Sequence, residues 1–244
     1  TIQPSQADYF QTVKGGGHGD YRLIALAPAS VQEMADFVGL AFDLAFKYRN
    51  PAIILADGVI GQMMEKVVLP EQRPRLTNEE VMARCPWATF GKLKHRGPNI
   101  VTSLELDPAE MEKRNIHLQQ KYAEIEEKEV RYEEIHCDDA EYLIVAFGSC
   151  ARIAQKAMEE ARAEGIKVGL LRPITLWPFP SKAIAERSRQ VKGILTVELN
   201  AGQMVEDVRL AVECKVPVEY FGRLGGIVPD PDEVVTALKE KIIK

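Results

Sequence analysis

Apolar runs and amphipathic helical segments alternate through the second half of the chain, and this alternation restricts the fold more than any other feature. The run YLIVAF (142–147) ends at Gly148, a helical pattern follows from about Cys150 to Glu164, and the run VGLLR (168–172) comes next. Runs that are apolar on both faces are typical of parallel strands that helices cover on both sides. The alternation continues through a helix at 181–190, the strand ILTVEL (194–199), a helix at 203–212, a strand at 218–221 and a helix from 231. Residues 140–244 are therefore predicted to form an α/β domain with a mainly parallel sheet.

A shorter unit of the same kind lies near the beginning of the chain. The apolar run at 21–27 predicts a strand, and the apolar spacing at 31–48 predicts a helix. Ser30 with Glu33 three residues later is a capping-box pattern that marks the beginning of this helix. A second strand is predicted at 52–56. Residues 1–65 are thus interpreted as part of another α/β domain.

The region between the two blocks, 66–139, has scattered prolines and many charges, and it is predicted to connect them. A helix is predicted from Asp107-Pro108, since an Asx cap followed by proline favours a helix beginning. The acidic run EIEEKEVRYEE (124–134) is predicted to face solvent, with an acidic docking site as the alternative.

Composition excludes several classes of function. The 244 residues carry a net charge of −5, which argues against nucleic acid as the main partner. No apolar run reaches the length of a membrane span, so a cytoplasmic protein is predicted. The four cysteines form no CxxC pair, which argues against a local iron–sulfur or zinc site, and the compact sequence HCDD (136–139) does not suggest a metal site.

The glycine-rich run KGGGHGD (14–20) is one candidate site. Lys14 and His18 could join glycine N–H groups in binding an anion, or the run could be a turn that leads into the next strand. Phosphate loops follow a strand and begin a helix, whereas these glycines precede a strand.

Three further candidates lie at carboxyl ends of predicted strands, where open α/β sheets bind ligands. Asp57 follows the strand at 52–56 and is interpreted as a ligand or interface residue or, alternatively, as part of a simple turn. The turn Gly148-Ser149-Cys150 begins a helix and could bind an anion. A polar cluster follows the strand at 194–199 and is interpreted as a partner or ligand site or, alternatively, as a helix cap; its members are Glu198, Asn200 and Gln203.

Several segments together resemble one family. They are QADYFQTVKGGGHGDYRLIALAPASVQEMADF (6–37), ILADGVIGQMME (54–65), VGLLRPITLWPFP (168–180), VELNAGQMVEDVRLA (197–211) and FGRLGGIVPDPDEV (221–234). Their order resembles that of the alpha-type subunit of the 2-oxoacid:ferredoxin oxidoreductases, most closely the 2-oxoisovalerate member. The resemblance implies the end of a thiamine-diphosphate pyrimidine-side domain (1–65), a linker (66–139) and a transketolase C-terminal-like α/β domain (140–244).

The resemblance also implies the chemistry. Such an enzyme decarboxylates a 2-oxo acid on thiamine diphosphate, passes electrons through iron–sulfur clusters to ferredoxin and releases an acyl-CoA. A beta-type subunit would share the cofactor and its Mg²⁺, and gamma-type and ferredoxin-like subunits would complete the complex with the clusters. Lys14, His18, Asp20 and Asp57 would lie near the active site or a subunit interface.

The resemblance assigns no catalytic residue to this chain. The glutamate expected to bind the aminopyrimidine belongs to a part of the family chain that precedes these 244 residues, so the chain alone is expected to be inactive. The branched-chain 2-oxo acid is favoured as substrate. A 2-oxoglutarate-specific alpha subunit and a non-catalytic assembly module are the alternatives.

Overall fold

The computed structural model describes residues 3–89 and 94–243, and these form two compact units. The larger unit contains Thr1–Val68 and Tyr122–Lys244, and the smaller contains Leu69–Lys121. The strands are β1 (Ile24–Leu26), β2 (Ala52–Ile54), β3 (Tyr132–Ile135), β4 (Tyr142–Ala146), β5 (Val168–Pro173), β6 (Thr175–Trp177), β7 (Ile194–Glu198) and β8 (Val218–Gly222). The helices are α1 (Tyr9–Val13), α2 (Val31–Tyr48), α3 (Gly58–Gln62), α4 (Asn78–Arg84), α5 (Pro108–Lys128), α6 (Gly148–Ala163), α7 (Ser181–Arg187), α8 (Met204–Val212) and α9 (Pro231–Leu238), which continues as a π-helical turn over Lys239–Ile243.

The larger unit is built on a five-stranded sheet of order β3-β5-β4-β7-β8. Three of its four pairings are parallel, and β3 lies antiparallel to β5 at one edge. This confirms the predicted α/β fold with a mainly parallel sheet. Strand β3 was not predicted, because its sequence YEEI reads as part of the acidic run.

Helix α6 packs on this sheet through a stripe of alanines. Ala154, Ala157 and Ala161 are buried with Met158 in one apolar cluster that also contains Leu195 of β7. Residues three and four apart share a helix face, and the small side chains let the helix approach the strands closely. Helix α9 contributes Val234, Val235 and Leu238 to the same cluster. This packing fixes where the beginning of α6 lies relative to the ends of the strands.

A second, three-stranded sheet of order β2-β1-β6 joins the two predicted blocks. Strand β1 pairs in parallel with β2 and antiparallel with β6. The first two strands are shorter than the predicted runs at 21–27 and 52–56. Strand β6 was not predicted, and it is the element by which the later part of the chain extends the sheet of the earlier part.

Helix α2 begins as predicted, but only one of the two bonds of a capping box forms, because Glu33 has a different partner. The Ser30 side chain accepts a hydrogen bond from Glu33 N. The Glu33 carboxylate accepts from Ala29 N at 2.7 Å, and both of its oxygens accept from Arg172 of β5. The cap of α2 is therefore also a link between α2 and the large sheet.

The acidic run at 124–134 is only partly exposed, so the prediction that it faces solvent is wrong for some of its residues. Glu129 is 3% exposed and accepts hydrogen bonds from Lys47 Nζ, Tyr48 Oη and Arg131 Nη2. Burial alone would raise the pKa of Glu129, but these donors lower it below its ordinary value. Glutamates in this run form ion pairs with cations such as Lys47 and Arg131. Sequence periodicity does not reveal such partners.

Few side chains of the smaller unit are buried. Cys85 is the one buried residue among the described positions of 69–121. Helix α4 is held by a capping box between Thr77 and Glu80, and large apolar side chains are exposed at Ile100 and Leu104. A segment with few buried apolar groups has low local stability.

We expect limited trypsin digestion to begin in this smaller unit. Arg75 and Arg84 are exposed there, whereas Arg172 of the large sheet is 6% exposed. The first cuts should follow Arg75 and Arg84, and the two large fragments on either side of the cuts should still co-elute in gel filtration, since Thr1–Val68 and Tyr122–Lys244 form one unit. Mass spectrometry identifies the cuts. First cuts within β4 to β7 would contradict this order of stability.

Candidate functional site

The carboxyl ends of β4 and β7 lie at a point where the strand order of the large sheet reverses. Open α/β sheets bind ligands in the crevice at such a point. Here the chain itself bridges it through Gln6, which is 4% exposed. Gln6 N donates to Leu199 O at 2.9 Å, Gln6 Oε1 accepts from Leu199 N at 3.1 Å, and Gln6 Nε2 donates to Phe147 O at 2.9 Å. An N-terminal segment of the chain thus joins the ends of both strands.

Asp57 is the second member of this junction and is 5% exposed. Its Oδ1 atom accepts hydrogen bonds from Val59 N at 3.0 Å and Ile60 N at 3.2 Å, which caps helix α3. Its Oδ2 atom accepts from Ser149 N at 2.9 Å, Ser149 Oγ at 2.8 Å and Gln6 Nε2 at 3.2 Å. One carboxylate therefore satisfies donors from three segments of the chain.

The turn at the beginning of α6 was considered above as an anion site. Its donors, Ser149 N and Ser149 Oγ, already bind the Asp57 carboxylate. Gly148 makes this contact possible. Its φ is +58°, and a Cβ atom there would lie 2.8 Å from both Asp57 Oδ2 and Gln6 Nε2. A side chain at this position would be strained in its backbone and would collide with the junction.

The cluster that follows β7 also contains a buried carboxylate that accepts hydrogen bonds from the beginning of a helix. The Glu198 carboxylate, 0% exposed, accepts hydrogen bonds from Met204 N at 2.7 Å, Val205 N at 2.9 Å and Gln203 N at 3.2 Å. Asn200 Nδ2 donates to Glu198 Oε2 and to Gln6 O, both at 3.0 Å. These bonds cap α8 and also hold the N-terminal segment, and a partner or ligand role for the cluster stays a prediction.

Gln203 extends that contact. Its Oε1 atom accepts from Phe10 N at 2.8 Å, and its Nε2 atom donates to Ala7 O at 2.9 Å. Glu198, Asn200 and Gln203 are therefore brought together, and hydrogen bonds connect them through Gln6 to Asp57. We call the set Gln6, Asp57, Ser149, Glu198, Asn200 and Gln203 the junction cluster.

Burial changes the ionisation of two groups in or beside the junction cluster. Burial raises the pKa of Glu198 above its ordinary value, although four N–H groups of its neighbours oppose the change. Burial, together with the charges of Asp57 and Glu198, raises the pKa of the Cys150 thiol well above its ordinary value. A thiol kept protonated in this way is a poor nucleophile, so Cys150 is a packing residue.

The glycine-rich run lies apart from these hydrogen bonds. Lys14 forms an ion pair with Asp207 of α8, and Tyr9 Oη donates to the same carboxylate at 2.6 Å. Gly16 N donates to Tyr21 Oη at 2.7 Å, while His18 and Asp20 are exposed. Lys14 therefore ties the beginning of the run to α8. A role for Lys14, His18 or Asp20 beside a cofactor stays a prediction.

Sequence reasoning missed an ion cluster around the buried Arg172. Its Nη1 and Nη2 atoms donate to the two Glu33 oxygens at 2.7 Å each, and its Nε lies 3.0 Å from Glu133 Oε2. The sequence signal that could have revealed this cluster is the position of Arg172 directly after four apolar strand residues, since a buried guanidinium needs carboxylate partners. Burial alone would raise the pKa of Glu33, and hydrogen bonds from Arg172 and Ala29 N lower it below its ordinary value.

Arg172 lines a cleft of about 440 Å³. Three cations and three carboxylates line this cleft, which therefore favours neither an anion nor a cation; they are Arg152, Lys156, Arg172, Glu33, Glu133 and Glu159. Its polar groups link α2, β5 and α6 rather than converge on one point.

The described residues do not fit the diphosphate end of the cofactor that the resemblance implies. A diphosphate is held by Mg²⁺ and by free N–H groups at a helix beginning. Within 3–89 and 94–243, no group of three or more His, Cys, Asp or Glu side chains could hold a metal ion. The beginnings of α3, α6 and α8 already bind Asp57 and Glu198.

Two family models cover most of the chain. Residues 1–135 match the pyruvate flavodoxin/ferredoxin oxidoreductase, thiamine diphosphate-binding model, and residues 140–234 match pyruvate:ferredoxin oxidoreductase core domain II. No helix in the described part of the chain is long and apolar enough to cross a membrane. The predicted boundaries at 65/66 and 139/140 stay predictions.

Curated relatives support the same family. The ketoisovalerate oxidoreductase subunit VorB of Methanothermobacter marburgensis is 49% identical over 239 residues, which cover 98% of this chain and 66% of the relative. The 2-oxoglutarate synthase subunit KorA of the same organism is 32% identical, and the match covers 96% of this chain and 68% of the relative. The chain thus spans about two thirds of the length of these relatives.

A solved structure agrees in fold. The 2-oxoglutarate:ferredoxin oxidoreductase of Magnetococcus marinus superimposes with a TM-score of 0.74 at 23% identity, over 98% of this chain and 45% of that chain. Sequence matches along both halves and the shared fold lead to one conclusion: this chain belongs to the pyruvate:ferredoxin oxidoreductase family.

Proposed function

We propose that this chain is part of the alpha-type subunit of a thiamine-diphosphate-dependent oxidoreductase that acts on a branched-chain 2-oxo acid. The observation that carries the substrate class is the difference between relatives. Identity to the ketoisovalerate subunit VorB is 49%, whereas identity to the 2-oxoglutarate subunits KorA is 32% and 34% over similar shares of the chain.

The proposed reaction converts the 2-oxo acid and CoA to an acyl-CoA and CO₂. The two electrons released from the substrate pass to ferredoxin, and the thiol proton of CoA is released. Thiamine diphosphate with Mg²⁺ supplies the carbanion chemistry. The junction cluster supports a positioning role for this chain, because its bonds hold the N-terminal segment, α3, α6 and α8 in one arrangement.

The remaining parts of the proposed enzyme lie on other subunits. A beta-type subunit would hold the diphosphate and Mg²⁺, for which the described residues offer no donor set. Gamma-type and ferredoxin-like subunits would complete the complex with its iron–sulfur clusters. The proposed location is the cytoplasm, and the buried free thiols Cys85, Cys137 and Cys150 suit a reducing compartment.

The test is substrate-dependent reduction of a viologen dye by the complex that contains this chain. We expect reduction with 2-oxoisovalerate to require both CoA and thiamine diphosphate and to exceed reduction with 2-oxoglutarate at equal concentration. A preference for 2-oxoglutarate would retain the reaction and overturn the substrate. An intact complex that reduces the dye with neither acid would favour the non-catalytic assembly module.

A further inference from the structure

A cleft of about 470 Å³ in the larger unit is lined by residues of α5, β3, β6 and α7. Its wall contains three aromatic side chains beside a proline; they are Tyr132, Trp177, Phe179 and Pro180. Tyr132 is 43% exposed, so part of this aromatic surface is open to solvent. The charged residues of the lining are Glu126, Glu127, Lys182 and Glu186. We call this surface the aromatic cleft.

The charged groups of the aromatic cleft favour a cation. Three carboxylates face one ammonium group there, whereas the cleft beside Arg172 has as many cations as carboxylates. Within the described ranges 3–89 and 94–243, the carboxylates of Glu126 and Glu186 form no ion pair and accept no hydrogen bond. A concave surface with an excess of unpaired carboxylates attracts positively charged groups.

Trp177 adds a hydrogen-bond donor to the aromatic cleft. The residue is 6% exposed, and its ring packs edge to face against Tyr122 with 5.8 Å between the ring centroids. Its indole N–H donates no hydrogen bond to any residue that the structure describes. A buried indole N–H usually has a partner, so an acceptor placed in the cleft would complete the bonding of Trp177.

These three features together suit an extended segment that contains proline and arginine. Such segments bind in grooves lined by aromatic side chains, because the polyproline II conformation is already formed and costs little entropy. A segment of this kind makes no internal hydrogen bonds, so its carbonyl oxygens can accept from an indole N–H. Its arginines pair with carboxylates.

The chain itself contains a segment with this chemistry. Residues 70–75, with the sequence PEQRPR, lie outside helices and strands, and all six are exposed. Proline fixes its own φ and restricts the residue before it to extended conformations. Two arginines and one glutamate give the segment a charge opposite to that of the aromatic cleft. We call residues 70–75 the PEQRPR segment.

We propose that the aromatic cleft binds the PEQRPR segment of a second copy of this chain. Pro74 packs on the aromatic wall, Arg75 pairs with the cleft carboxylates, and a carbonyl oxygen of the segment accepts from Trp177. Exchange of segments in both directions fills both clefts and closes a two-fold symmetric dimer. This inference goes beyond the proposed function and does not depend on the substrate, because it rests on the cleft and the segment alone.

The experiment measures association of the full chain and its binding of the synthetic peptide LPEQRPRLT, which has the sequence of residues 69–77. In a Trp87→Phe variant Trp177 is the single tryptophan, so its fluorescence reports on the cleft. We expect sedimentation to show a dimer that forms as the chain concentration rises and that added peptide dissociates. The peptide should change the Trp177 emission, and trypsin should cut after Arg75 more slowly at concentrations where the dimer forms.

Two variants test the two kinds of contact. The double variant Glu126→Gln/Glu186→Gln keeps the size of both side chains and should bind the peptide about fivefold more weakly. Tyr132→Ala removes an exposed aromatic side chain and should weaken binding about tenfold. Glu240→Gln is the matched control, because Glu240 is an exposed glutamate outside the cleft, and it should bind as the unmodified chain does.

Three results would each overturn the proposal. The first is a chain that stays monomeric at every concentration, even if the peptide binds, because the occupant would then not be a second copy. The second is a dimer that the peptide does not dissociate. The third is equal peptide binding by the double variant, Tyr132→Ala and the Glu240→Gln control.

Discussion

Asp57→Asn is expected to lower the free energy of unfolding by about 3 kcal/mol or more, although the side chain keeps its size. The Asp57 carboxylate accepts from backbone N–H groups on both oxygens, Val59 and Ile60 on one and Ser149 on the other. An asparagine has only one acceptor oxygen. In either orientation its NH₂ group faces a backbone donor, and a buried N–H group loses its partner.

Urea denaturation of the unmodified chain, Asp57→Asn and Ser149→Ala measures this effect. Ser149→Ala removes a single 2.8 Å bond to Asp57 and leaves the Ser149 N–H group paired, so a loss of about 1 kcal/mol is expected. A loss in Asp57→Asn no larger than that in Ser149→Ala would show that the carboxylate does not hold α3 and α6 together.

Glu198→Ala is expected to have an effect of similar size, a loss of about 3–5 kcal/mol. The substitution leaves the buried N–H groups of Met204 and Val205 without an acceptor. Gln203 N and Asn200 Nδ2 each lose one of two acceptors, because they keep Asn200 Oδ1 and Gln6 O. Because Asn200 also donates to Gln6 O, the N-terminal segment should loosen as well. Hydrogen exchange at α8 and at Gln6 checks this second consequence.

The pH dependence of the Glu198→Ala effect has a defined sign. The folded-state pKa of Glu198 lies above its ordinary value of 4.5. The folded state therefore binds the proton more tightly than the unfolded chain, and this group's contribution to stability is lost as the pH rises from 4.5 through the raised pKa. The stability difference between the unmodified chain and Glu198→Ala should decrease across that interval. Denaturation at several pH values measures it, and an increase would contradict the raised pKa.

Local pattern determined most helices and strands but few of their partners. The apolar spacing of α2 and the doubly apolar run of β4 predict their elements correctly, because burial imposes a period that the sequence carries. Strands β3 and β6 were missed, because their sequences YEEI and TLW have no such period. They are strands because β3 pairs with β5 and β6 pairs with β1. Glu129 and Arg172 were missed for a related reason, since their counterions come from distant segments.

The sequence by itself determined the α/β class, the order of the main elements and the family, because these depend on hydrophobic period and on the succession of motifs. Only the tertiary structure decided which groups the polar residues at the strand ends are bonded to. For Asp57 the alternatives were a ligand or interface role and a simple turn, and for the cluster with Glu198 they were a partner or ligand site and a helix cap. The fold brings Ser149 to Asp57 and the beginning of α8 to Glu198. Hydrogen-bond partners separated by 92 residues along the chain are set by packing, which no local pattern records.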